Sequence, residues 1–313
     1  MAKKTAFLFP GQGSQFVGMG KEIYDEKPSV QHIFQNVDEI CGKSISRLSF
    51  EGPMDELTLT ENLQPAVTAV NLACFSLLKE AGIEAEIVAG HSVGEYAALF
   101  SAGVVTVEDA MSLAMKRGEL MNREAIKNPG AMAALIGLNI QEVLEIVNEA
   151  KGNDILSVAN HNTEQQIVIT GQEKPVTRAI ELAELKKAKA IPLNVSGAWH
   201  SALMVDAVDE FRQFMEGFSF RAPECTMLFN ATAETETDGD KIKDIMARQL
   251  VNPVRWYDIM SSMLSQGVTA FVEVGPKRVL SGLIRKIASS AKDLTILNVQ
   301  DVKSLEKAMD ALS

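Results

Sequence analysis

The chain has 313 residues, 46% of them hydrophobic, enough to bury a large core in one big domain or in one big and one small. Its 30 basic and 41 acidic residues leave a formal charge of -11, which argues against nucleic acid or an anionic membrane as the main partner, though a local basic patch stays possible. Three cysteines, Cys41, Cys74 and Cys225, lie far apart without a Cys-x-x-Cys pair, so buried thiols in a reducing compartment are expected, not a disulfide framework or a zinc site.

The apolar run after Lys3 and Lys4, from Ala6 to Phe9, is too short for a signal-peptide core, and no run approaches the roughly 18 apolar residues of a membrane span. A soluble cytoplasmic protein is the expectation. Thr5-Ala6-Phe7-Leu8-Phe9 reads as a buried strand that stops at Pro10-Gly11-Gln12-Gly13-Ser14-Gln15, a loop whose glycines suit close approach of backbone to a ligand. A phosphate loop fails on spacing: Met19 stands where the lysine is needed, and Phe16 occupies the third glycine position of a dinucleotide fingerprint. A helix is predicted from Leu63 to Gly82, with Pro65 early and Gly82 as its stop.

That helix leads into Glu86-Ile87-Val88-Ala89-Gly90-His91-Ser92-Val93-Gly94-Glu95-Tyr96-Ala97-Ala98-Leu99-Phe100, a short apolar run, a Gly-x-Ser-x-Gly turn and a small-residue helix. The pattern is that of a nucleophile elbow, in which glycines permit a strained turn and leave the Ser92 hydroxyl exposed above a helix N-terminus. The competing reading is a glycine turn with an incidental serine, and the strand before it and helix after it favour the nucleophile. Thr106 then caps a helix expected to run to about Met121, with Ala110, Leu113, Ala114 and Arg117 on one stripe. A guanidinium on an apolar stripe needs an anion: either an internal salt bridge, the commoner case, or a ligand near the serine.

From about Gly130 the segments read strand (Ala131 to Leu138), helix (Gln141 to Ala150), two strands (Ile155 to Ala159 and Gln166 to Thr170) joined by a loop over 160–165, helix (Lys174 to Leu185) and strand (Lys189 to Asn194). That order is a split βαβ, ferredoxin-like unit, which makes 128–195 a small domain inserted between 1–127 and 196–313 and one wall of a cleft. Of four histidines, His32 falls on a surface helix, His161 in the small-domain loop, and His91 on the other face of the serine turn. His200 remains, in a loop entering a helix, and the serine-then-histidine order makes it the candidate general base. Beyond it, a helix starting near Asn252, the strand Thr269 to Val274, a helix from about Val279 to Ser289, the strand Leu294 to Val299 and a last helix imply a parallel sheet built from both ends of the chain. The basic clusters Lys186-Lys187-Ala188-Lys189, Lys277-Arg278 and Arg285-Lys286 read as solvated faces.

Taken together, Phe9-Pro10-Gly11-Gln12-Gly13-Ser14-Gln15, Gly90-His91-Ser92-Val93-Gly94-Glu95, Arg117, His200, Gln249-Leu250-Val251-Asn252-Pro253-Val254-Arg255-Trp256 and Phe271-Val272-Glu273-Val274-Gly275-Pro276 resemble the malonyl-CoA:acyl carrier protein transacylase family over essentially the full length. One departure is Lys277, where the family often has glycine; it is expected to affect only a surface turn. The resemblance implies an α/β-hydrolase-like large domain and ping-pong transfer of a malonyl group from malonyl-CoA, through a malonyl-Ser92 ester, to the phosphopantetheine thiol of acyl carrier protein. It implies His200 as base, an oxyanion hole from the N–H groups of Gln12 and Val93, and Arg117 as clamp on the malonyl carboxylate. The Gln249 main-chain carbonyl would orient His200 in place of Asp206 or Asp209, and Trp199 would accompany malonyl selectivity. No metal or bound cofactor is implied; acyl carrier protein would dock on a local basic cluster, and a monomer is expected. Rivals are a serine esterase or thioesterase, a polyketide-type acyltransferase with another donor, and a non-catalytic scaffold.

Overall fold

The computed structural model describes residues 3–289, 291 and 293–312. Among the described residues nine strands occur in chain order: β1 (Thr5–Phe9), β2 (Ile87–Gly90), β3 (Ala131–Ile136), β4 (Leu156–Thr163), β5 (Gln166–Gly171), β6 (Lys189–Pro192), β7 (Thr226–Met227), β8 (Ala270–Val274) and β9 (Thr295–Val299). Five of them form a wholly parallel sheet in the order β7-β2-β1-β8-β9, drawing strands from both ends of the chain as expected. β1 and β8 are buried on both faces, which is why they read as unbroken apolar runs rather than alternations. On one face, Phe7, Phe9 and Val88 meet the helices Thr60–Glu80, Gly94–Ser101 and Val107–Lys127; on the other, Ala6, Leu8 and Phe271 meet Trp256–Ser265 and Val279–Ile287.

The remaining four strands form an antiparallel sheet in the order β4-β5-β3-β6, backed by the helices Ile140–Lys151 and Glu173–Leu185 over a separate apolar core. The strand and helix sequence over this stretch is the one expected, with one difference. β4 does not stop at Ala159: it runs through two irregularities to Thr163, so His161 lies in a strand. The reason is an extra partner. The His161 N–H donates to the Val254 carbonyl (2.9 Å) and the Val254 N–H to the Ala159 carbonyl (2.8 Å), so the large unit supplies bonds that a free loop would lack.

Two other differences matter for the site. The helix capped by Thr106 extends past Met121 to Lys127, because Leu120, Met121, Glu124 and Ala125 continue its buried stripe. The helix Gly239–Arg248, capped by Asp238, has no counterpart in the sequence reading, yet it delivers Gln249.

Candidate active site

Strand β2 ends at Gly90 and the next helix starts at Gly94, so the chain reverses within three residues and Ser92 takes φ 52. That left-handed conformation costs a residue with a side chain roughly 1–2 kcal/mol. The flanking glycines make the reversal possible: a Cβ on Gly90 would stand 2.0 Å from the Gly94 carbonyl carbon, and one on Gly94 would stand 2.1 Å from the Phe9 carbonyl oxygen. Asn230, just past β7, holds the turn from both sides. It accepts the Ser92 N–H at Oδ1 (2.7 Å) and donates from Nδ2 to the Gly90 carbonyl (2.6 Å).

His200 also has a left-handed backbone, φ 58, which turns its ring toward the serine. Its Nε2 lies 2.8 Å from Ser92 Oγ, and its Nδ1 lies 2.9 Å from the Gln249 carbonyl and 3.1 Å from the Asn252 carbonyl. Carbonyl oxygens only accept, so Nδ1 carries the proton and Nε2 is free to accept from the hydroxyl. Two main-chain oxygens thus do what a third carboxylate does elsewhere, and Asp206 is occupied by Lys127 at 2.6 Å on the surface. Burial first, and the Arg117 charge second, push the imidazole down to about 3, so the ring is neutral at pH 7.

Arg117 is 1% exposed at the middle of its helix. The internal salt bridge expected as the commoner case is not formed: among the described residues no carboxylate reaches the guanidinium. Its donors go to neutral groups instead, Nε and Nη2 to Gln249 Oε1 (3.1 and 2.8 Å), Nη1 to Gln64 Oε1 (2.7 Å) and Nη2 also to Ser92 Oγ (3.1 Å). The Tyr96 ring lies 6.0 Å from the guanidinium carbon. Amide oxygens satisfy the donors without cancelling the charge, which leaves a buried cation beside the nucleophile.

The loop after β1 lies against the elbow, since a Cβ on Gly11 would stand 2.3 Å from the His91 carbonyl oxygen. Asn71 Nδ2 holds the Pro10 carbonyl (2.9 Å) and the Ser14 hydroxyl holds that of Gly11 (2.6 Å). Among the described residues the N–H groups of Gln12 and Val93 have no acceptor. Lys277 lies in an exposed turn, as expected, and its Nζ also reaches the Gly13 carbonyl at 3.2 Å.

The other titratable candidates stand aside. His91 faces Asn162 Oδ1 (2.8 Å) and Trp256, His161 packs on Tyr257, and His32 is exposed on the helix Gln31–Cys41. Burial pushes the Cys41 and Cys225 thiols up to about 11 and Cys74 higher still, so none is a thiolate at neutral pH. Among the described residues no group of three or more His, Cys, Asp or Glu could hold a metal ion. Sequence reasoning missed three residues of the site: Gln64, Glu95 and Asn230. Glu95 left a signal, a lone charge in a helix otherwise made of Gly, Tyr, Ala, Leu, Phe and Ser; Asn230 left none.

The acyl transferase domain family matches residues 6–307. The malonyl CoA-acyl carrier protein transacylase of Bacillus subtilis (strain 168) is 40% identical over 312 residues, 99% of this chain and 97% of that protein. The chain belongs to the malonyl CoA-acyl carrier protein transacylase family. The solved family member from Coxiella burnetii superposes with a TM-score of 0.95 at 34% identity, covering 100% of this chain and 98% of its own. A malonyl-transacylase solved in complex with a type II PKS acyl-carrier protein superposes at 0.93 with 36% identity, covering 98% and 99%. As a member of this family the chain is an acyltransferase.

Proposed function

We propose that this chain transfers the malonyl group of malonyl-CoA to the phosphopantetheine thiol of acyl carrier protein, in fatty acid synthesis, through a malonyl ester of Ser92. The observation that carries the reading is Ser92 Oγ held between a neutral His200 Nε2 at 2.8 Å and an Arg117 Nη2 at 3.1 Å that has no carboxylate partner. In the first half-reaction Nε2 takes the hydroxyl proton and Oγ attacks the thioester carbonyl. The tetrahedral oxyanion collects hydrogen bonds from the Gln12 and Val93 N–H groups, which are worth most in a water-poor site. As it collapses, the C–S bond breaks and the imidazolium returns the proton to the coenzyme A sulfur. In the second half, His200 takes the proton of the incoming phosphopantetheine thiol, its sulfur attacks the ester, and the proton ends on Ser92.

Arg117 selects a diacid by pairing its guanidinium with the free carboxylate of the malonyl group. The transacylase relatives favour transfer over the esterase or thioesterase reading. Trp199, which precedes His200 in the chain, accompanies that preference, and a local basic cluster on this acidic chain receives the carrier protein. We read the parallel-sheet portion, 1–127 and 196–313, as α/β-hydrolase-like and 128–195 as an inserted ferredoxin-like domain. A cytoplasmic monomer working without bound metal or cofactor completes the proposal. Brief exposure to malonyl-CoA followed by peptide mass spectrometry should find a persistent malonyl adduct on Ser92 that free carrier protein discharges. Rapid multiple-turnover release of malonate without carrier protein would overturn it.

A further inference from the structure

Glu95 has no accessible surface, though it lies in the first turn of the elbow helix. Its two oxygens serve different partners: Oε1 accepts the Asn230 N–H at 2.6 Å, and Oε2 accepts Gln249 Nε2. The same Gln249 amide nitrogen donates to the Ser92 carbonyl at 3.0 Å, while Gln249 Oε1 takes the Arg117 donors. Chemistry fixes which way this amide faces. The Ser92 carbonyl and the Glu95 carboxyl offer acceptors and a guanidinium offers only donors, so the NH2 must turn toward Glu95 and the oxygen toward Arg117. One amide therefore separates a buried carboxyl group from a buried guanidinium. Burial raises the Glu95 carboxyl above its ordinary range, while the Asn230 and Gln249 donors and the Arg117 charge oppose that rise.

We propose that Glu95 is a positioning residue for substrate selection: through the Gln249 side chain it aims the Arg117 guanidinium at the substrate carboxylate without occupying it. The inference rests on the reading of Arg117 as the carboxylate clamp. A direct Glu95–Arg117 pair would have to be broken by every diacid that enters, whereas an amide relay fixes the guanidinium and leaves its charge unspent. The relay also needs two acceptors at position 95. In Glu95→Gln, either orientation of the new amide turns an NH2 against the Asn230 N–H or the Gln249 NH2. The simplest relief is for Gln249 to turn over, which sets its NH2 against Arg117.

The test compares malonyl-CoA with acetyl-CoA as donor in the full-length enzyme. Glu95→Gln should lower kcat/KM for malonyl transfer by about tenfold or more, the scale of a hydrogen bond to a charged group, and leave acetyl transfer within about threefold. Gln249→Met, which keeps the main-chain carbonyl that holds His200, should lower malonyl transfer more than acetyl transfer and serves if Glu95→Gln does not fold. In an Arg117→Ala background Glu95→Gln should change the residual malonyl transfer by less than about threefold, because the guanidinium it aims is gone. Equal losses of malonyl and acetyl transfer in both Glu95→Gln and Gln249→Met would make Glu95 a structural group and overturn the inference. Should Arg117→Ala abolish malonyl preference while Glu95→Gln and Gln249→Met retain it, the Glu95 inference fails alone. Unchanged preference in Arg117→Ala itself would instead refute the clamp.

Discussion

A base with a pKa near 3 is an unusual general base, and its low value follows from position. The His200 ring is buried and shares Ser92 Oγ with a guanidinium, so protonating it would place two cations on one oxygen. The sign of the pH effect is clear. An unfolded imidazole takes its proton below about 6.5, whereas the folded one resists until about 3, so the stability it contributes is complete above 6.5 and is lost as pH falls through that window. For the same reason, inactivation of Ser92 by a neutral sulfonyl fluoride should stay flat from pH 8 down past 6.5 and decline only well below it. An acid limb centred at 6.5 would show that the ring is not held neutral by its surroundings. Ser92 and His200 stood out as candidates by residue type and order, and Arg117 as a charge on an apolar stripe; the residues alone favoured a salt bridge for Arg117, and its part as a clamp came only from the family resemblance. Asn230 was not legible: an asparagine in a loop has many uses, and only its distance to Ser92 separates this one from the rest.

At the level of elements, the site depends on where helices begin. Thr106 accepts the Asp109 N–H at 3.1 Å and Asp109 accepts the Thr106 N–H at 3.1 Å, a reciprocal cap that sets the start of the helix carrying Arg117. Thr106→Ala should therefore lower stability by about 1 kcal/mol, read as a reduced midpoint of urea unfolding. Malonyl preference should persist, since Arg117 lies three turns further along and is fixed by Gln64 and Gln249. The cap was readable because it is local. By contrast, β7 pairs with β2 through only two residues, Thr226 and Met227, and its neighbours carry no strand period. Such a strand exists because an open edge of β2 is there to receive it.

Across the whole molecule, the antiparallel unit is tied to the catalytic one at the segment that orients the base. Val254 exchanges hydrogen bonds with β4, two residues after the Asn252 carbonyl that accepts from His200. Asn162, near the end of the same strand, meets His91 beside the nucleophile at 2.8 Å. Asn162→Leu should loosen this clamp, raising hydrogen exchange at the amides of 159–163 and slowing Ser92 acylation by about three- to tenfold, the cost of one lost hydrogen bond. Unchanged exchange at those amides would show that the His91 contact contributes nothing to the junction.

The sequence by itself determined what local rules and chemical type can decide. These are the parallel α/β pattern, the order of elements in 128–195, the elbow at Ser92, the cap at Thr106 and the anomalous charge at Arg117, all of which depend on residues a few positions apart. Only the tertiary structure decided what Arg117 pairs with, that the Asn252 carbonyl joins that of Gln249 at His200, and that β4 continues to Thr163. Each of those depends on groups brought together from distant parts of the chain. Arg117 meets Gln249 across 132 positions and Gln249 meets Glu95 across 154. No spacing in the sequence encodes a contact of that length; the packing of the helices on the parallel sheet creates it.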